Sequence, residues 1–403
     1  MKWIARPEYL DFLQRFRGRD LIKVVSGVRR CGKSTLFLLY RQWLLQHGVS
    51  SEQIITINFE DLAFESLCDY RALYQYITSR MLPDKMNYIF LDEIQHVPSF
   101  EKVVDSLFIK ENADVYITGS NAYFMSGDLA TLLTGRYVEL KMLPLSFSEF
   151  CQGLEGNLTL PAKYNAYIRN SSFPYALQFQ DTPEAVEEYL SGIYNTILIK
   201  DTLRRMGSSD TMLMESLMKY LAANIGSLIS PNKIANSLTS MGRKVDNKTI
   251  ERYLQGLKDS LLIYQADRYD IRGKQLLKIN AKYYLVDPAF RRLLIQDNGR
   301  DTGHILENVV YLELLRRGGK VYVGQLPKGE IDFVVERPGT REYYQVAEST
   351  LQPEVLDREL KPLKAIRDQY PKYLLTLDEI APEANYDGIQ KKNVLQWLLH
   401  TNG

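Results

Sequence analysis

The residues best suited to chemistry stand together near the start of the chain, in the run Gly27-Val28-Arg29-Arg30-Cys31-Gly32-Lys33-Ser34-Thr35. The spacing matches G-x-x-x-x-G-K-[ST], a loop that wraps phosphate. Glycines at 27 and 32 let backbone N–H groups turn inward around phosphate oxygens. Lys33 offers a point charge to β- and γ-phosphates, and Ser34 offers a hydroxyl to Mg²⁺. Gly27, Arg29, Arg30, Cys31, Gly32, Lys33, Ser34 and Thr35 form the candidate nucleotide-binding set. Within it, Arg29 and Arg30 either touch phosphate or point into solvent. A second candidate group is Asp92-Glu93, at the end of the apolar run Tyr88–Leu91. Asp92 suits a Mg²⁺ held through water, and Glu93 suits polarisation of an attacking water. A third is the polar turn Gly119-Ser120-Asn121, where Asn121 could touch a γ-phosphate or the lytic water. Such residues also favour plain turns, so both readings stand.

The flanking patterns place these groups. Ile22 to Val25 is a short β-branched run, which predicts a buried strand, and an amphipathic helix follows the loop. Further strands are predicted at Gln53–Phe59, ending in Glu60-Asp61, at Tyr88–Glu93 and at Asp114–Thr118. Strands alternating with helices imply a mostly parallel sheet covered on both faces. Ligands of such sheets bind at the C-terminal ends of the strands, where all of these polar groups fall.

The stretches GVRRCGKSTL, IFLDEIQHV, ITGSNAYFM and LATLLTGRYVELKMLPLSFSEF resemble bacterial AAA-type ATPases that carry a C-terminal domain of unknown function. The resemblance spans nearly the whole chain. It implies ATP rather than GTP, and no guanine-reading Asn-Lys-x-Asp is present. It also implies that Arg136, in LTGRY, is an arginine finger acting across a subunit boundary of a homo-oligomer. The competing expectation is a local ion pair with an acid such as Glu139.

Beyond Phe150 the pattern changes. The segment GLEGNLTLPAKYN is a loop, and Pro183 to Met206 reads as helix. Ser171-Ser172-Phe173-Pro174 departs from the resemblance, in which a glycine pair precedes Phe-Pro. Helices at Met212–Ile225, from Ser230-Pro231, and from Asp246 to about Leu262 precede a hairpin of Ile263–Asp270 with Lys278–Val286. Three helices and a hairpin make a winged helix, whose third helix reads the groove where such a module binds DNA. Residues 241–282 hold ten Lys+Arg against five Asp+Glu, a net of 10 − 5 = +5. Arg243, Lys244, Lys248, Arg252, Arg272 and Lys274 are the candidate contacts to double-stranded DNA. Winged helices also serve as protein-binding modules, and that alternative stays open.

From His304 the order is helix, three strands, a helix from Pro353 to about Tyr370, and a strand at Lys372–Leu377. This order resembles the restriction-endonuclease-like, PD-(D/E)XK, core. Members that cut DNA bind Mg²⁺ with a helix Glu, an Asp and a Glu-x-Lys. Glu307 and Asp332 match, Gln345 stands where the second carboxylate belongs, and Ala347 stands where the lysine belongs. An alanine can neither stabilise nor protonate anything, so the site reads as a degenerate nuclease site. Lys361 or Lys364 could substitute for the missing lysine.

The whole chain of 403 residues carries a net charge of +1, so any nucleic-acid surface is local. Cys31, Cys68 and Cys151 are too scattered for a disulfide framework or a zinc site, which fits a reducing cytoplasm. No apolar run reaches the roughly 18 residues of a membrane span, and MKWIARPEYLDF is too polar for a signal peptide. The expected architecture is α/β: an AAA-type P-loop NTPase domain over 1–150, a helical linker over 151–210, a winged-helix region over 211–295 and a restriction-endonuclease-like domain over 296–403. The expected activity is Mg²⁺-dependent ATP hydrolysis, coupled to a DNA-associated C-terminal module. The alternatives are a slow signalling switch with a protein partner and an ATP-gated nuclease in defence against foreign DNA.

Overall fold

The computed structural model describes residues 3–120, 133, 135–179, 182–203, 206–207, 210–295 and 302–400, apart from the side chains of residues 200, 278 and 279. It divides into two compact units: residues 1–144 with 259–261, and residues 145–258 with 262–403.

The first unit contains α1 (Pro7–Arg15), β1 (Ile22–Gly27), α2 (Lys33–Gln46), β2 (Ile54–Asn58), α3 (Tyr70–Thr78), β3 (Asn87–Asp92), α4 (Phe100–Phe108), β4 (Ala113–Gly119) and β5 (Tyr137–Met142). The strand order is β2-β3-β4-β1-β5 and every pairing is parallel. Side chains alternate across the sheet, as a period of two requires. Ile89, Leu91, Val115 and Ile117 join Leu73 and Ile77 of α3 and Val103, Val104 and Leu107 of α4 in one core. Phe90 and Tyr116 face the other way, onto Phe37 and Tyr40 of α2, with ring centroids 5.1 Å apart for Phe37–Phe90 and 5.3 Å for Tyr40–Tyr116. Burying each such side chain stabilises the fold by about 1.5–3 kcal/mol. The order places β4 between β1 and β3. A polar side chain at the tip of β4 therefore stands between the loop after β1 and the acids after β3.

The second unit begins with α5 (Phe147–Gly153), α6 (Leu160–Asn170) and α7 (Pro183–Thr196). The helix expected to reach Met206 is α-helical only to Thr196; Ile197–Leu203 continues as a π-helix. There the Thr202 hydroxyl donates to the Ile197 carbonyl at 3.0 Å, a bond that competes with the regular ladder. Ser171 adopts φ 78°, a backbone region that favours glycine, and its hydroxyl donates to buried Asp287 at 2.5 Å.

Next come α8 (Thr211–Ala223), α9 (Pro231–Ser240), α10 (Asn247–Asp259) and an antiparallel hairpin of β6 (Ile263–Asp270) with β7 (Gln275–Leu285). Ile229 bridges antiparallel to Ala281 of β7. After α11 (Ala289–Leu294) the chain forms α12 (Thr302–Arg316), β8 (Lys320–Gln325), β9 (Glu330–Arg337), β10 (Thr340–Ala347), α13 (Pro353–Lys364), β11 (Lys372–Thr376), β12 (Ala384–Tyr386), β13 (Ile389–Asn393) and α14 (Val394–Leu399). The helix expected to run to Tyr370 stops at Lys364, with Pro362 in its last turn, where proline removes a helical donor. β6 pairs parallel with β8, so the hairpin and the later strands share one eight-stranded sheet, β12-β13-β11-β10-β9-β8-β6-β7.

Candidate functional site

The loop between β1 and α2 is shaped by two glycines at which a side chain would be strained. A Cβ on Gly27 would lie 2.4 Å from the Met142 carbonyl oxygen and 2.8 Å from the Cys31 sulfur. Gly32 takes φ 105° and forms the N-cap of α2 without any side-chain cap. The first N–H groups of α2, including those of Ser34 and Thr35, are thus left to an anion at the helix start. Cys31 is fully buried, and burial pushes its thiol up. Arg30 is exposed at φ 68°, while Arg29 pairs with Glu60 at 2.6 Å, just past the end of β2.

Beneath the loop lies a residue that sequence reasoning missed. The Arg6 guanidinium, 4 % exposed, donates to the carbonyls of Cys31 at 3.0 Å, Leu143 at 3.0 Å and Pro144 at 3.2 Å. It ties the loop to the chain leaving β5. Nothing in the run Ala5-Arg6-Pro7 signals this, since the partners are 25 to 138 residues away.

The acids follow β3. Asp92 and Glu93 are both buried. The Thr118 hydroxyl of β4 donates to Asp92 at 2.5 Å and accepts from the Glu93 N–H at 2.8 Å. One hydroxyl thereby fixes both acids. Glu93 sits at φ 54°, a left-handed conformation that aims its side chain back toward the loop. Its carboxylate meets Lys33 Nζ at 3.2 Å, and Lys33 also donates to the Gly27 carbonyl at 3.0 Å. On its other side Glu93 accepts from Gln95 Nε2 at 2.5 Å, and the same amide reaches Ser120 Oγ at 3.3 Å. Gln95 is a second residue that sequence reasoning assigned no role, although it lies within the quoted IFLDEIQHV.

Burial pushes the Asp92 carboxyl up, and the Ser34 and Thr118 hydroxyls offset this only in part. Burial acts on Glu93 in the same direction, but Lys33, Gln95 and Ser120 outweigh it and hold the carboxyl below its ordinary value. Burial lowers the Lys33 ammonium, yet Glu93 more than compensates and the group stays charged. The arrangement is therefore an ammonium, the first N–H groups of α2, a hydroxyl beside a carboxylate, and an ionised base. That donor set fits a nucleotide's phosphates with Mg²⁺, which Ser34 and Asp92 are placed to hold.

Arg136 lies elsewhere. Its carbonyl accepts from the Ile22 N–H at the start of β1, whereas the loop follows Gly27. Five residues of strand put it about 17 Å away along the sheet. Its guanidinium pairs with Asp105 at 3.8 Å and stacks over Phe108, not on Glu139. Glu139 instead accepts from Ser26 at 2.5 Å. Asn121 lies outside the described residues.

In the second unit, Glu307, Asp332 and Gln345 are brought together. The Asp332 N–H donates to Gln345 Oε1 at 3.4 Å, and Asp332 accepts from the Val346 N–H at 2.9 Å. Sequence reasoning missed the group that joins them. Lys282 of β7, with a side chain 4 % exposed, lies 2.9 Å from Glu307, 2.7 Å from Glu330 and 3.5 Å from Asp332. Lys364, one of the two expected substitutes, pairs instead with Asp387 at 3.8 Å. Lys282 was counted in the basic run 241–282 but turns inward, away from any surface patch. Of the candidate DNA contacts, Lys244, Lys248 and Arg252 are exposed at and just before the first turns of α10, and Arg243 beside them is half-buried. Arg272 and Lys274 are exposed at the hairpin turn.

Comparison with known proteins bears on this site. Residues 19–151 match an AAA domain family, and residues 161–301 match a domain family of unknown function. An uncharacterised protein of Haemophilus influenzae is 42% identical over 400 residues, covering 98% of both chains. An uncharacterised protein of Methanocaldococcus jannaschii is 30% identical over 332 residues, covering 78% of this chain and 72% of its own. The Walker-type ATPase of Pyrococcus abyssi shares the fold with a TM-score of 0.51 at 16% identity, over 72% of this chain and 96% of its own. Phosphate loop, buried acids and parallel sheet agree with the AAA-domain match over residues 19–151, and the chain belongs to one family with the Haemophilus influenzae and Methanocaldococcus jannaschii proteins.

Proposed function

We propose that the protein hydrolyses ATP with Mg²⁺ and couples its nucleotide state to a C-terminal module that docks on double-stranded DNA. The observation that carries the ATPase reading is the Thr118 hydroxyl, which fixes Asp92 and Glu93 opposite Lys33 at the strand ends. Lys33 and the loop N–H groups bind phosphate. Glu93 orients the attacking water and is ionised to take its proton. Mg²⁺, when bound at Ser34 and Asp92, supplies charge neutralisation on the phosphates. Arg136 lies too far along the sheet to serve its own loop, which favours a homo-oligomer in which it faces a neighbour's nucleotide.

Three helices, a hairpin and the Ile229–Ala281 bridge support a winged helix. The order α12, β8, β9, β10, α13, β11 supports a restriction-endonuclease-like core, and Gln345 and Ala347 argue against cleavage by it. We place the first domain at 1–150, the linker at 151–210, the winged helix at 211–295 and the last domain at 296–403. The free cysteines are buried or half-buried, which suits a reducing cytoplasm. No helix among the described residues is long and apolar enough to cross a membrane. One observation favours a second reading, a slow switch with a protein partner: exposed Glu251 stands among Lys248 and Arg252 on α10, where a phosphate backbone repels it.

The docking test is duplex affinity by fluorescence anisotropy. Replacing Lys244, Lys248 and Arg252 together with alanine is expected to weaken binding and reduce its salt slope by about 3. Unchanged affinity and slope would remove α10 from the interface. Loss of turnover in Lys33→Ala tests the ATPase reading independently of DNA.

A further inference from the structure

We propose that Lys282 is a built-in cation: its ammonium takes the place that a divalent metal ion would hold among Glu307, Glu330 and Asp332, so this cluster is a metal site closed from within. The inference rests on the cluster's coordinates and the nuclease-like arrangement, and it stands whether or not the first unit turns over ATP.

The three carboxylates come from two elements, α12 for Glu307 and β9 for Glu330 and Asp332, and converge on one Nζ at 2.9, 2.7 and 3.5 Å. Hard divalent ions seek that kind of oxygen set. Here the centre is filled by a side chain on β7, itself almost wholly buried. Glu307 and Asp332 have further partners. Tyr284 donates to Glu307 at 2.6 Å, His304 approaches the same carboxylate at 3.9 Å, and the Val346 N–H holds Asp332. With Lys282 among them the three acids are spread about its ammonium and are not set to hold a metal ion, and no other group of three or more His, Cys, Asp or Glu among the described residues is.

The charges agree with a monovalent occupant. Gln345 stands where a further carboxylate would add negative charge, and its amide donates to Glu359 at 3.0 Å rather than facing an ion. Burial and the neighbouring Glu307 push the Asp332 carboxyl up. Ala347 removes the lysine from β10, and Lys282 brings one from the hairpin into the middle of the acids. A lysine beside a metal would serve chemistry; a lysine in place of the metal joins the hairpin, α12 and β9 instead.

The test uses the full chain without nucleotide, melted in chelator and then in Mn²⁺, with calorimetric titration of Mn²⁺. Wild type is expected to bind no Mn²⁺ that depends on Asp332, judged against Asp332→Asn. Lys282→Ala is expected to melt lower in chelator, to gain an Asp332-dependent Mn²⁺ site, and to recover about 5 °C or more at a hundredfold excess over Kd. If Lys282→Ala does not fold in chelator, Lys282→Ala with Glu330→Gln lowers the repulsion and keeps Glu307 and Asp332 for the same titration. Each of three results overturns the proposal, the first two being Asp332-dependent Mn²⁺ binding in wild type and a folded variant that binds no more Mn²⁺ than wild type. Mn²⁺-dependent DNA cleavage abolished by Lys282→Ala also overturns it, because Lys282 would then act beside a metal.

Discussion

Replacing Gln95 with methionine removes one amide and nearly conserves volume. In the structure that amide donates to the Glu93 carboxylate at 2.5 Å and reaches Ser120 Oγ at 3.3 Å. Together with Thr118 and Ser120 it holds Glu93 at the tip of β4, opposite the pull of Lys33. A hydrogen bond to a charged group is worth about 1.5–3 kcal/mol. If that energy positions Glu93 for the attacking water, its loss slows kcat by about 10- to 150-fold. Gln95 touches none of the loop residues, so KM for ATP is expected to change by less than about twofold. The bond also helps hold the Glu93 carboxyl below its ordinary value, so its removal raises that pKa. The acidic limb of the pH–rate profile then moves to higher pH, which a packing role would not produce. The assay is steady-state ATP turnover with Mg²⁺ across pH, with a melting curve to confirm folding. A folded Gln95→Met protein with kcat within about twofold of wild type and an unmoved acidic limb would refute the reasoning.

Two further predictions follow from the same geometry. Arg136→Ala is expected to lose about 10³ in turnover with ATP affinity unchanged, and mixing it with Lys33→Ala should restore activity through shared interfaces; no restoration argues against action in trans. In the second unit Asp378 is buried, but Lys391 at 2.8 Å, Ser349 and Thr350 outweigh burial and hold its carboxyl well below the ordinary range. A depressed folded pKa stabilises above the unfolded value near 3.9, and that contribution is lost as pH falls below it. Urea unfolding of wild type and Asp378→Asn should therefore differ clearly at neutral pH and converge in acid; a gap independent of pH contradicts the assignment.

What was legible in the chain follows from distance along it. The loop from Gly27 to Thr35 and the pair Asp92-Glu93 are short local patterns whose flanking strands are marked by apolar runs. Four strands of the first sheet carry that signal, whereas β5, with the sequence YVELKM, has no apolar run to mark it. Lys282, Arg6 and Gln95 carry none. Each acquires its role from carbonyls or carboxylates brought in by other elements, and a buried lysine reads in sequence like a surface one. Lys282 counted toward a basic patch for that reason. The early ends of α7 and α13 turn on single groups, the Thr202 hydroxyl and Pro362, whose effect on a helix end depends on the local ladder.

The central claim is that a Mg²⁺-dependent ATPase is coupled to a module docked on DNA. The most direct measurement is steady-state ATP turnover of the full chain titrated with duplex DNA at low and moderate salt, with Lys33→Ala as the reference. The account predicts turnover that is absent in Lys33→Ala and rises with DNA in wild type, the rise weakening as salt increases. Wild-type turnover in Lys33→Ala, or turnover indifferent to DNA at both salt concentrations, would contradict it.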